Sequence, residues 1–109
     1  MKKDCVVYLG GSITQLSNLR YLRKKKIKII LIDNDVNCYC KKFCDDFLNI
    51  SQTNVSEILF HLDKIIKKKN YKIIDSFGLA HYSYPAINMI KKRYFNNYKK
   101  DYFLMNKHV

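Results

Sequence analysis

Two spacings of apolar residues alternate along this chain. Cys5-Val6-Val7-Tyr8-Leu9 is an unbroken apolar run, the pattern of a strand covered on both faces. Ile13, Leu16, Leu19 and Leu22 then recur three apart with Lys and Arg between them, which predicts a helix over 14–25, capped by Ser12 or Thr14. Ile27 to Ile32 reads as a second buried strand, closed by the turn signal Asp33-Asn34-Asp35. Residues 36–46 have no period beyond a single helical turn, and Phe47 to Ile50 forms a short third strand. Asn54 and Glu57 stand at capping-box spacing. After them Val55, Ile58, Leu59, Leu62, Ile65 and Ile66 trace one face of a second helix. Lys72 to Asp75 is a fourth strand, Ser76 to Ser83 a loop, and Pro85 an early residue of a third helix carrying Ala86, Ile87, Ile90 and Tyr94.

Short strands alternating with helices imply β-α-β crossovers and parallel pairing. The expected fold is α/β: a three-layer, Rossmann-like domain with a mostly parallel sheet of four to five strands. It occupies residues 1–97, followed by an aromatic segment over 98–109. In such folds ligands lie beyond the carboxyl ends of the strands. That edge is expected to carry Gly10, Gly11, Ser12, Asp33, Asp35, Ser76 and Phe77. The strand–Gly10-Gly11–helix junction there bares backbone N–H groups at the positive end of a helix dipole, a favourable place for an anion.

Composition changes this picture little. A chain of 109 residues with 48% hydrophobic content makes one modest core. No apolar run approaches the roughly 20 residues that cross a bilayer, and the opening lacks a signal-peptide pattern, so a cytoplasmic location is expected. The formal charge is +12, with lysine supplying 18 of the 21 basic residues. A polyanion partner would exploit that charge. However, Lys, Ile, Asn and Tyr, all with AT-rich codons, make up 50 of the 109 residues, so compositional drift explains it more simply. The lysine runs also fall at helix ends, where they complement the dipole. Nucleic acid is therefore not the expected partner, nor is a membrane.

Four cysteines are present, at 5, 38, 40 and 44. Without a secretory signal, disulfides are not expected. Cys38-x-Cys40-x-x-x-Cys44 lacks a Cys-x-x-Cys pair and a neighbouring histidine, so small packed side chains are expected there rather than a metal site. The glycines do not make a dinucleotide fingerprint, since the third is missing and the first two are adjacent, although Asp33 stands where a ribose-binding acid would. A P-loop is excluded because no Gly-Lys-Ser/Thr follows. Ser12 is not in a nucleophile elbow. His81, in the fourth-strand loop, either faces the ligand edge or is solvated; His61 fills a mid-helix position. Of the carboxylate pairs, Asp33/Asp35 suits polar ligand contact and Asp45/Asp46 is expected to face solvent. No catalytic residue is assigned.

Several segments in order resemble the N-terminal domain of ATP-grasp carboxylate–amine ligases, the carbamoyl-phosphate-synthase-like and biotin-carboxylase-like enzymes. They are Val7-Tyr8-Leu9-Gly10-Gly11-Ser12-Ile13-Thr14-Gln15-Leu16, Lys28 to Asp35 ending in Asp-Asn-Asp, and Phe43-Cys44-Asp45-Asp46-Phe47-Leu48-Asn49-Ile50-Ser51. Ala80 to Ile87 with Pro85, and Leu104-Met105-Asn106-Lys107, resemble the family's later helix start and the run into its ATP-binding lobes. The resemblance implies a pre-ATP-grasp domain, inactive alone, which packs against those lobes and forms the substrate side of the cleft. Residues 98–109 would lead toward those lobes. Gly10, Gly11, Ser12 and Gln15 would hold a small carboxylate or phosphorylated substrate, with Asp33 beside them and Ser76 and Phe77 across the cleft. No cofactor is expected within the chain. ATP and magnesium would bind lobes, of the same or another chain, that these residues do not include. A stand-alone module that binds a small anion, or dimerises through Tyr94, Phe95, Tyr98, Tyr102 and Phe103, is the alternative.

Overall fold

The protein is described from a computed structural model over residues 1–95. The segment 98–109, the end of the 1–97 domain and the aromatic tail residues Tyr98, Tyr102 and Phe103 lie outside the described residues. Within them the fold is α/β and Rossmann-like, with β1 (Lys3–Leu9), α1 (Leu16–Lys24), β2 (Lys28–Ile32), β3 (Asp46–Leu48), α2 (Val55–Lys69), β4 (Tyr71–Gly78) and α3 (Tyr84–Tyr94). Short 3-10 turns over Ile13–Gln15, Tyr39–Phe43 and His81–Ser83 join them. The four strands are all parallel, in the order β3-β2-β1-β4. Among the described residues there is no fifth strand.

The chain runs outward from β1 to β2 and β3, then returns across the sheet to place β4 on the other side of β1. Strand order therefore reverses beside β1, and the carboxyl ends of β1 and β4 splay their connections apart. Alternate residues of β1 supply two cores. Cys5, Val7 and Leu9 join Ile30, Ile32, Ile73 and the apolar faces of α2 and α3, including Ile58, Leu62, Ile87 and Ile90. Val6 and Tyr8 join Ile29, Leu31, Leu19, Leu22 and Cys40 under α1. Burial on both sides explains why β1 reads as a continuous apolar run.

The helix ends follow local chemistry. Asn54 caps α2: its side-chain oxygen accepts from the Glu57 N–H at 3.3 Å, and its amide donates to the Glu57 carboxylate at 2.7 Å. Asn70 closes α2 in the left-handed region, φ 58°, which asparagine tolerates. Lys67, Lys68 and Lys69 occupy the last turn, as Lys24 does in α1. No helix of the described residues is long and apolar enough to cross a membrane.

Three expectations change. First, β4 does not stop at Asp75. A register shift beside Cys5 and Val6 carries the pairing on, so that Val7, Tyr8 and Leu9 align with Ser76, Phe77 and Gly78. Ser76 satisfies its hydroxyl inside the sheet by donating to Val7 O at 3.0 Å, and Phe77 lies beside Tyr8 with ring centroids 5.8 Å apart. Second, neither Ser12 nor Thr14 caps α1. Their hydroxyls bond each other at 2.7 Å, and a 3-10 turn precedes the helix. Third, Asp46 does not face solvent as expected but is half-buried, whereas Asp45 is exposed as expected. Asp45 accepts the Ile29 N–H at 2.8 Å, while Asp46 pairs with Lys69 at 2.8 Å and accepts the Tyr71 hydroxyl at 2.6 Å.

Candidate functional site

Leu9 ends β1 and Gly10 turns the chain sharply, with φ +97°. A side chain is strained in that conformation, and one here would also press the Gln52 amide, whose Nε2 lies 3.3 Å from the Cβ position. Gly11 is constrained by space instead: a Cβ there would stand 2.8 Å from Cys38 Sγ and 2.9 Å from Leu31 Cδ2. The segment after β2 thus closes over the turn. It is tied down by Cys40, whose N–H donates to Gly11 O at 2.8 Å and whose thiol donates to Ser12 O at 3.2 Å. A cysteine here is small enough to fit and still gives one weak hydrogen bond.

Asp33 organises the turn from the end of β2. One carboxylate oxygen accepts the Gly11 N–H at 2.8 Å and the other accepts the Asp35 N–H at 2.9 Å. The carboxylate is buried, so these charge-assisted bonds replace water. Asp33 therefore shapes the turn as well as bordering the cleft. Asp35 is exposed, and its side chain accepts the Asn37 N–H.

A cleft of about 200 Å³ opens at this edge. All four strand ends contribute to it: Leu9 to Ser12, Thr14 and Gln15 after β1, Asp33 and Asn34 after β2, Gln52 after β3, and Leu79, Ala80 and Tyr82 after β4. Its volume lies below the roughly 300–1,000 Å³ of drug-sized sites, which favours a ligand of few atoms over a nucleotide. Of the turn's amides, Gly10 N–H donates to Ile32 O at 2.8 Å and Gly11 N–H to Asp33. The N–H groups of Ser12, Ile13 and Thr14 have no acceptor among the described residues. Ser12 and Thr14 line the cleft, and unpaired N–H groups before a helix favour an anionic group.

Five residues predicted for the site, Gly10, Gly11, Ser12, Gln15 and Asp33, meet at this cleft. Ser76 and Phe77 do not line it, because β4 holds both within the sheet. Sequence reasoning missed Gln52. It sits just past the third strand, so the topology alone would have placed it at the carboxyl edge. Gln15 and Gln52 are 2% and 8% exposed, and the side-chain oxygens of both lack a hydrogen-bond partner.

The remaining chemistry-bearing residues do not converge. His81 is exposed with its ring edge-on to Tyr84, and His61 lies 3.8 Å from Glu57 on α2. Among the described residues no group of three or more His, Cys, Asp or Glu could hold a metal ion. The four cysteines are unpaired with one another. Burial pushes the Cys5 thiol up to about 12, aided by Asp46 and Asp45. Burial likewise pushes Cys44 up to about 11 and raises Cys38 and Cys40. All four are therefore neutral thiols near pH 7, unsuited to attack or metal ligation without deprotonation. The chain matches no protein-family model and no curated protein.

Proposed function

We propose that this chain is the substrate-side domain of an ATP-dependent carboxylate–amine ligase of the ATP-grasp type, binding a small anionic substrate in the cleft at the start of α1. The observation that carries this reading is the convergence of all four strand ends on one small polar cleft, with Ser12 and Thr14, whose N–H groups are unpaired, on its wall. The order of the Gly10-Gly11-Ser12-Ile13-Thr14-Gln15-Leu16, Asp33-Asn34-Asp35 and Asp45-Asp46-Phe47 segments supplies the family part of it. In this role the domain orients one substrate group and excludes water around it. ATP and magnesium, which activate the carboxylate in such ligases, would be held by other lobes. Exposed Ile13, Leu79 and Tyr82 near the cleft would meet those lobes. Calorimetry on the 109-residue chain tests the division of labour: no micromolar binding of Mg-ATP is expected, and micromolar binding would overturn it.

The same exposed apolar residues favour a second reading, a self-associating module that buries Leu79 and Tyr82 against a second copy. Light scattering separates the two. A dimer abolished by Leu79→Asp supports self-association, and a monomer at high concentration dismisses it.

A further inference from the structure

Compositional drift accounts for how many cations this chain carries, not for where they stand. Drift toward AT-rich codons favours Lys over Arg, and only three of the 21 basic residues are arginines. One of them, Arg93, pairs with Asp63 at 2.7 Å. The other two lie on the flank of α1 that meets the Tyr39–Phe43 turn. The Arg20 guanidinium carbon is 5.9 Å from the centre of the Phe43 ring, and Arg23 donates to Phe43 O at 3.1 Å. Lys42 is 5.5 Å from the same ring centre and 5.0 Å from that of Tyr39, and Lys41 is 4.9 Å from that of Phe47. Among the described residues none of these four cations forms a salt bridge, whereas Lys69 and Lys91, on the helices across the sheet, pair with Asp46 and Asp75. Like charges gathered without acids repel one another, and a polyanion relieves that repulsion.

Aromatic rings stand among these charges. Tyr39 is 44% exposed, and its ring centre lies 6.4 Å from that of Phe43. A hollow of about 560 Å³ opens beside Tyr39, Lys41 and Lys42, and a second of about 270 Å³ beside Arg23, Lys26 and Lys28, with Asp45 on its wall. Neither shares a residue with the cleft at Gly10. We propose that this face binds single-stranded nucleic acid, with phosphates on Arg20, Arg23, Lys41 and Lys42 and an unstacked base on Tyr39. Guanidinium groups match phosphate oxygens in geometry as well as charge. Every base has a face that stacks on an aromatic ring, but a duplex keeps its bases stacked on one another. A duplex or an acidic protein would use the charges alone. The proposal stands apart from the reading of the cleft as a substrate site.

Fluorescence anisotropy of the 109-residue chain with a labelled oligothymidylate of about twelve nucleotides tests it. An oligouridylate and a duplex of the same length, and phosphatidylserine vesicles, complete the set of probes. Four phosphate contacts at roughly −0.7 each predict a slope of about −3 in log affinity against log salt, or about fiftyfold weaker binding from 50 to 200 mM. Both single strands should bind at least tenfold more tightly than the duplex. Arg20→Gln with Arg23→Gln should weaken binding at least tenfold and bring the slope to about −1.5. Lys41→Gln with Lys42→Gln repeats the test should that variant fold poorly. Tyr39→Ala should cost about tenfold with the slope unchanged. Lys67→Gln with Lys68→Gln removes the same charge from α2 and should change affinity less than threefold. Equal losses from the α1 and α2 double variants, an unchanged affinity in Tyr39→Ala, or a duplex bound as tightly as the single strands overturns the proposal. So does an absence of oligonucleotide binding at 50 mM salt, whether or not the vesicles are bound instead.

Discussion

The two ends of this sheet treat their polar groups in opposite ways. At the amino end, where β2, β3 and β4 begin, the side chains close on one another. Lys69 and Tyr71 both meet Asp46, and Asp45 holds the Ile29 N–H with Lys28 3.9 Å away. At the carboxyl end, Asp33 is spent on the turn, yet the side-chain oxygens of Gln15 and Gln52 and the N–H groups at 12–14 remain unpaired beside a cleft. The same fold thus uses acids at one end to complete itself and leaves the other end incomplete. Stability is drawn from the first, and room for a ligand from the second.

Removing Asp33 should have the largest effect on the open end. Asp33→Ala leaves the Gly11 and Asp35 N–H groups without their acceptor, and a loss of about 2–4 kcal/mol in urea denaturation is expected. A loss below about 0.5 kcal/mol would mean the turn holds without it. At the closed end, Tyr71→Phe deletes a 2.6 Å bond to a carboxylate that also binds Lys69. It should cost about 1.5–3 kcal/mol by the same measurement.

Alkaline pH probes the closed end a second way. Cys5 lies on the core side of β1, and its folded pKa, about 12, stands above the ordinary value of 9.0. The unfolded thiol therefore ionises first as pH rises. Stability is fully present below about 9 and is lost as pH climbs toward about 12, by roughly 1 kcal/mol per pH unit once past 9. Tyr71, raised by burial and by Asp46, pushes the same way. Melting temperatures from pH 8 to 11 should fall, and Cys5→Ala should flatten the slope despite lowering the starting value. The smallest effect belongs to the open end. Gln15→Met and Gln52→Met each replace an amide whose oxygen has no partner. Each should leave stability within about 0.5 kcal/mol of the parent or raise it. A loss above about 2 kcal/mol would show that the open end is as structurally committed as the closed one.

The alternation of strands and helices, and hence the parallel sheet, was legible in the spacing of Val6, Ile29, Leu19, Ile58 and Leu62 because each apolar face had a core to meet. The Asn54–Glu57 cap was legible for the same reason of short range: both partners sit within one turn. What escaped depended on distant partners. Ser76 reads as a loop residue until Val7 O is there to accept its hydroxyl, 69 positions away in sequence. Asp46 reads as solvated until Lys69 and Tyr71 arrive, more than twenty residues later. Gln52, between Ser51 and Thr53, looks like an ordinary polar loop residue, and only the return of the loop after β3 over Gly10 buries it. The glycine turn itself was legible, but its dependence on Asp33 was not, since the aspartate stood equally well for a ligand contact.

The closeness of Cys38 to Gly11 carries a consequence for how this protein can change over generations. With Sγ 2.8 Å from where a Cβ would stand, positions 11 and 38 share one small volume. Enlarging residue 11 requires Cys38 Sγ and the Leu31 side chain to give way, so the tolerance of position 11 depends on what stands at 38. Gly11→Ala with Cys38→Gly should then recover part of what Gly11→Ala loses alone, a coupling that links the sheet's turn to the segment lying across it.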